Sequence, residues 1–112
     1  MNRTPDVEAE ITILSAKQGG RPVLSGYRPA HKMKDDYLTT GIHEYLSCDR
    51  ILPGQTVCGH ITFITPEAYP HCLWIGREID MQEGDRVVGR ARITKIFNPL
   101  LEKSAKNSPS AG

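Results

Sequence analysis

Cys58 and His60 stand two residues apart, and His71 and Cys72 are adjacent, so the chain carries two Cys and two His of the kinds that make tetrahedral zinc sites. The spacing argues against a metal. Neither pair follows the two-to-four-residue interval of cysteine ligands, and adjacent residues of an extended strand point to opposite faces. Surface histidines and small, core-filling cysteines account for all four, and no metal or other cofactor is called for. Asp35-Asp36, with Glu44 and Asp49 beyond them, are carboxylates without a nucleophile and base at matching spacing, the pattern of a solvated loop. Ser25, in Leu24-Ser25-Gly26, lacks the strand–turn–helix setting of a nucleophile elbow. No Gly-x-x-x-x-Gly-Lys-Ser/Thr loop is present to cradle nucleotide phosphates. The chemistry points to a protein that binds and does not catalyse.

One row of side chains has direction. Arg86, Arg90 and Arg92 share a parity, and successive outward positions on a strand lie roughly 7 Å apart, near the phosphate spacing of a single nucleic-acid strand. They are the candidate RNA-phosphate contacts. Glu78, Asp80, Glu83 and Asp85 precede them and can neutralise the row by cross-strand pairing, the favoured reading of the two.

Strands must position these residues. Val7, Ala9, Ile11 and Ile13 alternate with Glu8, Glu10 and Thr12, the period of a half-buried strand. Tyr37 to Leu46 is β-prone, with Leu38, Ile42 and Leu46 on one parity. In Thr56 to Thr65, Val57, Ile61 and Phe63 face one way and Thr56, Cys58, His60 and Thr62 the other. Cys72 to Ile79 is apolar on both faces, as in a strand covered on both sides or one running past a loop. Arg86 to Phe97 is the last long strand, with Val87, Gly89, Ala91 and Ile93 predicted inward. Ile51-Leu52-Pro53-Gly54-Gln55-Thr56-Val57 and Met81-Gln82-Glu83-Gly84-Asp85-Arg86-Val87 share a spacing that predicts a turn at the glycine, then a strand with Val facing the core.

Short strands, Gly- and Pro-rich turns and no helical periodicity make the chain all-β, either a closed antiparallel barrel or a two-sheet sandwich. At 112 residues, 38% of them hydrophobic, it is one domain. Residues 7–97 are predicted as the barrel, with 1–6 and the polar 98–112 as flexible ends. Fourteen Lys and Arg against thirteen Asp and Glu leave a net charge of +1, less basic than a dedicated nucleic-acid binder. Three cysteines and no apolar leader or membrane-length run fit a reduced, cytoplasmic protein.

Glu8-Ala9-Glu10-Ile11-Thr12-Ile13-Leu14-Ser15, Gly19-Gly20-Arg21, Gly26-Tyr27-Arg28-Pro29, Thr40-Gly41, Pro53-Gly54 and Arg86-Val87-Val88-Gly89 resemble the C-terminal β-barrel domain of elongation factor Tu. The resemblance runs from Val7 to Phe97 and implies a barrel of about six strands, here standing alone. In that family the domain packs against a GTPase domain and a second barrel, meets the exchange factor and helps hold aminoacyl-tRNA. The resemblance therefore implies surfaces that a partner covers, and Trp74 and Tyr45 are the candidate protein-interface residues. For Trp74, the sole tryptophan, a place at a strand centre in the core is the competing reading. The chain departs from the family at Met33-Lys34-Asp35-Asp36-Tyr37, where the family has an arginine followed by threonines facing tRNA, and at Gly89-Arg90-Ala91 in place of Gly-Ala-Gly. Adjacent carboxylates repel a phosphate backbone. A non-catalytic module that binds a protein, including the translation machinery or a second copy of itself, is the first expectation, and RNA binding through the arginine row is the alternative.

Overall fold

The alternation of Val7, Ala9, Ile11 and Ile13 becomes strand β1 (Val7–Ile13), with all four side chains fully buried. The computed structural model describes residues 4–14, 22–34, 37–46 and 48–103. Within them follow β2 (Val23–Leu24), β3 (Ala30–Lys34), β4 (Tyr37–Tyr45), β5 (Arg50–Ile51), β6 (Thr56–Phe63), a short 3-10 helix at Pro66–Ala68, β7 (Glu78–Glu83) and β8 (Arg86–Ile96). Six of the described strands close a barrel in the order β1-β6-β4-β3-β7-β8, every neighbouring pair antiparallel. β2 and β5 pair with each other outside it. Closure leaves no long edge among these strands, and inward positions of a small barrel are filled by side chains.

The inner face of β6 is Gly59, Ile61 and Phe63, and that of β8 includes Val88, Ala91 and Ile93. Val87 corrects the sequence reading. Met81 faces Gly89 and Gln82 faces Val87 across the β7–β8 ladder, so Val88 is an extra residue, and the resulting bulge turns Val88 inward and Val87 out. Gly54 and Gly84 both sit at positive φ, as the shared turn pattern requires, but the Val that follows each turn is only half-buried in one case and exposed in the other.

β4 inverts the apolar pattern. Leu38, Ile42 and Leu46 do share a face, and it is the outer one; Thr39, Gly41, His43 and Tyr45 point into the barrel. Gly41 allows this, since a Cβ there would lie 2.7 Å from both His31 Cε1 and Ile61 Cγ2. Tyr45, read from the sequence as an interface residue, is only 5% exposed and belongs to the core.

Trp74 is not on a strand. Its carbonyl accepts the Arg77 N–H at 3.1 Å in a turn with Gly76 at positive φ, and β7 begins only at Glu78. The apolar residues on both sides of this stretch arise because Leu73 is buried against the C-terminal segment. Leu73 N–H donates to Leu101 O at 2.9 Å, and Lys103 N–H to Leu73 O at 2.7 Å. Leu101 is fully buried, so the packed domain runs to Lys103 and not to residue 97. It also begins before Val7. Asp6 is buried, and its carboxylate accepts the Phe63 N–H at 2.7 Å and Asn98 Nδ2–H at 2.9 Å. No described helix is long and apolar enough to cross a membrane.

Candidate binding surfaces

Strand alternation carries Arg90 and Arg92 to the outer face of β8, and carboxylates on both flanking strands meet them. Arg92 Nε and Nη2 donate to Glu10 Oε1 on β1 at 3.1 and 2.9 Å. Arg90 Nε donates to Asp80 Oδ1 on β7 at 3.4 Å. Arg86 pairs in register with Glu83 across the β7–β8 turn. The charges of the Arg90–Asp80 and Arg92–Glu10 pairs are about half exposed, so each of these ion pairs is worth a few tenths of a kcal/mol. Their consequence is electrostatic. The row that was the candidate for phosphate contact is interleaved with carboxylates, and Glu10, three positions after the first residue of β1, supplies the closest of them. Arg90 and Arg92 border a shallow groove of about 250 Å³ with Glu10, Glu78, Thr12 and Thr56. The two threonine hydroxyls bond each other at 2.7 Å, and the groove holds as many carboxylates as guanidinium groups. No nucleophile with a poised base lines it.

A second surface lies at the barrel end where β3 turns into β4 and the 64–77 segment links β6 to β7. Trp74 is 48% exposed and Ile75 57%. The Arg77 guanidinium lies 5.1 Å from the Trp74 ring centroid and the Lys103 ammonium 5.5 Å, both within cation–π range. Arg77 is itself fixed, donating to the carbonyls of Met33 at 2.6 Å and of Cys72. The indole is thus held on a rigid turn with half of its surface open. Tyr37 and Ile64, also exposed, flank the same end, Tyr37 stacking edge-on against Tyr69 at 5.3 Å. Aromatic residues on a fixed frame with an apolar neighbour are the composition of interface cores.

The thiol and imidazole groups go separate ways. Cys58 and His60 share the outer face of β6, where His60 Nε2 meets Glu8 Oε1 at 3.3 Å and the Phe97 ring stands edge-on at 5.3 Å. His71 occupies a turn at φ 60 with Nδ1 3.0 Å from the Glu102 carbonyl. Among the described residues no three His, Cys, Asp or Glu side chains converge as ligands. Asp35 and Asp36 lie outside the described residues.

Sequence reading missed the polar interior. His31 and His43 are fully buried with their Nε2 atoms 2.9 Å apart, and His43 Nδ1 is 3.1 Å from the Tyr45 hydroxyl. Burial pushes His31 down to about 4 and His43 well below the usual imidazole range, with the neighbouring His31 adding to the latter. Burial likewise raises Tyr27, whose hydroxyl donates to Glu83, and Tyr45. All these shifts favour the neutral forms.

No protein-family model matches the chain.

Proposed function

We propose that this protein is a non-catalytic binding module, akin to the C-terminal barrel of elongation factor Tu, that engages a protein partner through the barrel end bearing Trp74 and Ile75. The closed six-stranded antiparallel barrel is compatible with that kinship. The observation that carries the reading is the half-exposed indole, fixed by Arg77 beside exposed Ile75. A solvent-facing Trp on a rigid turn loses little conformational freedom on binding and offers a large area to bury. RNA binding is the weaker reading, since Glu10 and Asp80 occupy the guanidinium groups that would meet phosphates.

The test is capture from native lysate with the wild-type chain and with Ile75→Asp, each with and without nuclease. The expected result is a protein retained by the wild type after nuclease treatment and lost with Ile75→Asp. Capture that nuclease abolishes, or that ignores the substitution, would overturn the reading.

A further inference from the structure

The outer surface makes no use of His31 and His43, yet their geometry is tightly determined. Only one hydrogen fits between two nitrogens 2.9 Å apart. The rest of the network decides where it sits. His31 Nδ1 faces the Thr39 carbonyl at 3.3 Å, and a carbonyl can only accept, so Nδ1 carries the hydrogen. Neutral His31 then has a bare Nε2, which accepts from His43 Nε2–H. His43 Nδ1 is bare in turn and accepts the Tyr45 O–H. This single neutral arrangement satisfies every ring nitrogen of the pair.

An added proton keeps the ring contacts only by leaving a charge inside the barrel. On either ring it puts a hydrogen on His43 Nδ1 and forces the Tyr45 hydroxyl to turn round, the shared hydrogen between the two Nε2 atoms making one ring or the other the cation. A second proton sets two Nε2–H groups against each other and breaks the 2.9 Å contact. The backbone carbonyls of Thr39 and Pro29 favour a charged His31, and burial outweighs them. β6 contributes Ile61, opposite His43, and Phe63, edge-on to His31 at 5.4 Å. β7 places Met81 opposite His31. Tyr27 stands edge-on to His43 at 5.8 Å, with the Glu83 carboxylate behind it on the Tyr27 hydroxyl, and Cys48 lies beside Tyr45. Lys32, Glu44, His60 and Asp80 occupy the outward positions of β3, β4, β6 and β7.

His31, on β3, also lines the narrowest seam, while His43 lies on β4, the strand on the other side of β3. Among the described residues the β3–β7 ladder has two register pairs, Ala30↔Gln82 and His31↔Met81, with Arg77 on the Met33 carbonyl beyond them, whereas β1 and β8 pair along the whole of β1. We propose that His31 and His43 form an acid-sensitive latch that fixes β3 on β4 while both rings are neutral, and that protonation loosens β3, so that the barrel opens at the β3–β7 seam, where its pairing is shortest. Release would turn a closed barrel into one with a free strand edge. This inference is independent of what the Trp74 surface binds.

The test is NMR on the full chain. Long-range proton–nitrogen spectra at pH 7.5 should show His31 protonated on Nδ1 and His43 on Nε2. Amide exchange, corrected for intrinsic rates, should show the opening constant at Ala30 to Met33 rising about tenfold to a hundredfold per pH unit below pH 6, for one or two protons taken up on opening. Amides of β1 and of β8 away from β7 should rise less. A charged imidazole in the closed barrel at pH 6, a flat opening constant at β3, or an equal rise in all six strands would overturn the latch.

Discussion

Glu10 reaches across from β1 to accept two hydrogen bonds from Arg92 on β8, at 2.9 and 3.1 Å, and so occupies the last guanidinium of the arginine row. With Asp80 on Arg90, the outer face of β8 becomes a mixed-charge lattice in place of a cationic track. Such a face has little long-range pull on a polyanion, and what remains is screened by salt.

The triple variant Arg86→Ala, Arg90→Ala, Arg92→Ala should accordingly lose less than about 1 kcal/mol per ion pair in urea unfolding, and show no loss of tRNA affinity at physiological salt because there is none. If the row did contact a single-stranded backbone, the slope of log affinity against log salt would fall by about 0.7 for each contact removed. A gel shift at sub-micromolar concentration, abolished by the triple variant, contradicts the expectation.

Asp6→Ala should destabilise the domain by about 1–3 kcal/mol, because it removes the carboxylate that accepts from the buried Phe63 N–H and the half-buried Asn98 amide. Asp6→Asn keeps an acceptor oxygen and should cost less. Urea midpoints of the two variants check the order; equal midpoints would mean that the Asp6 bonds are dispensable.

The buried histidines fix the sign of the pH dependence. Their folded-state affinity for protons is depressed, His31 to about 4, below the ordinary value of about 6.5 that the unfolded chain retains. Between those values the unfolded state binds more protons, so stability falls as pH falls. His31 alone should contribute a loss on the order of 2 kcal/mol between pH 7 and pH 5. Denaturant titrations at the two pH values measure it, and an unchanged or rising stability would contradict it.

Strands with apolar residues on the buried parity were legible from the chain alone, as in β1 and β6. β4 was not, because its inward parity is Thr39, Gly41, His43 and Tyr45, and polar side chains at core positions read as surface. Gly41 was the available signal, since a glycine inside a strand marks the close approach of something bulky, here the His31 ring. A one-residue bulge at Val88 shifts parity without any mark in the apolar pattern. The arginine row was legible as a face, but Glu10, its strongest partner, is more than eighty positions away in sequence and becomes its neighbour only when β8 closes on β1. Trp74 looked like a strand residue because Cys72 to Ile79 is apolar on both faces; the turn at Gly76 breaks that run before β7 begins at Glu78.

Because Trp74 is the sole tryptophan, its fluorescence reports on the proposed surface without any label. Acrylamide quenching of the free chain, repeated with the nuclease-resistant partner bound or at concentrations that drive self-association, is the most direct test. Strong quenching in the dilute free protein and clear shielding on association are expected. An indole already inaccessible in the monomer, or equally quenched in the complex, would contradict the assignment of the Trp74 end as the binding surface.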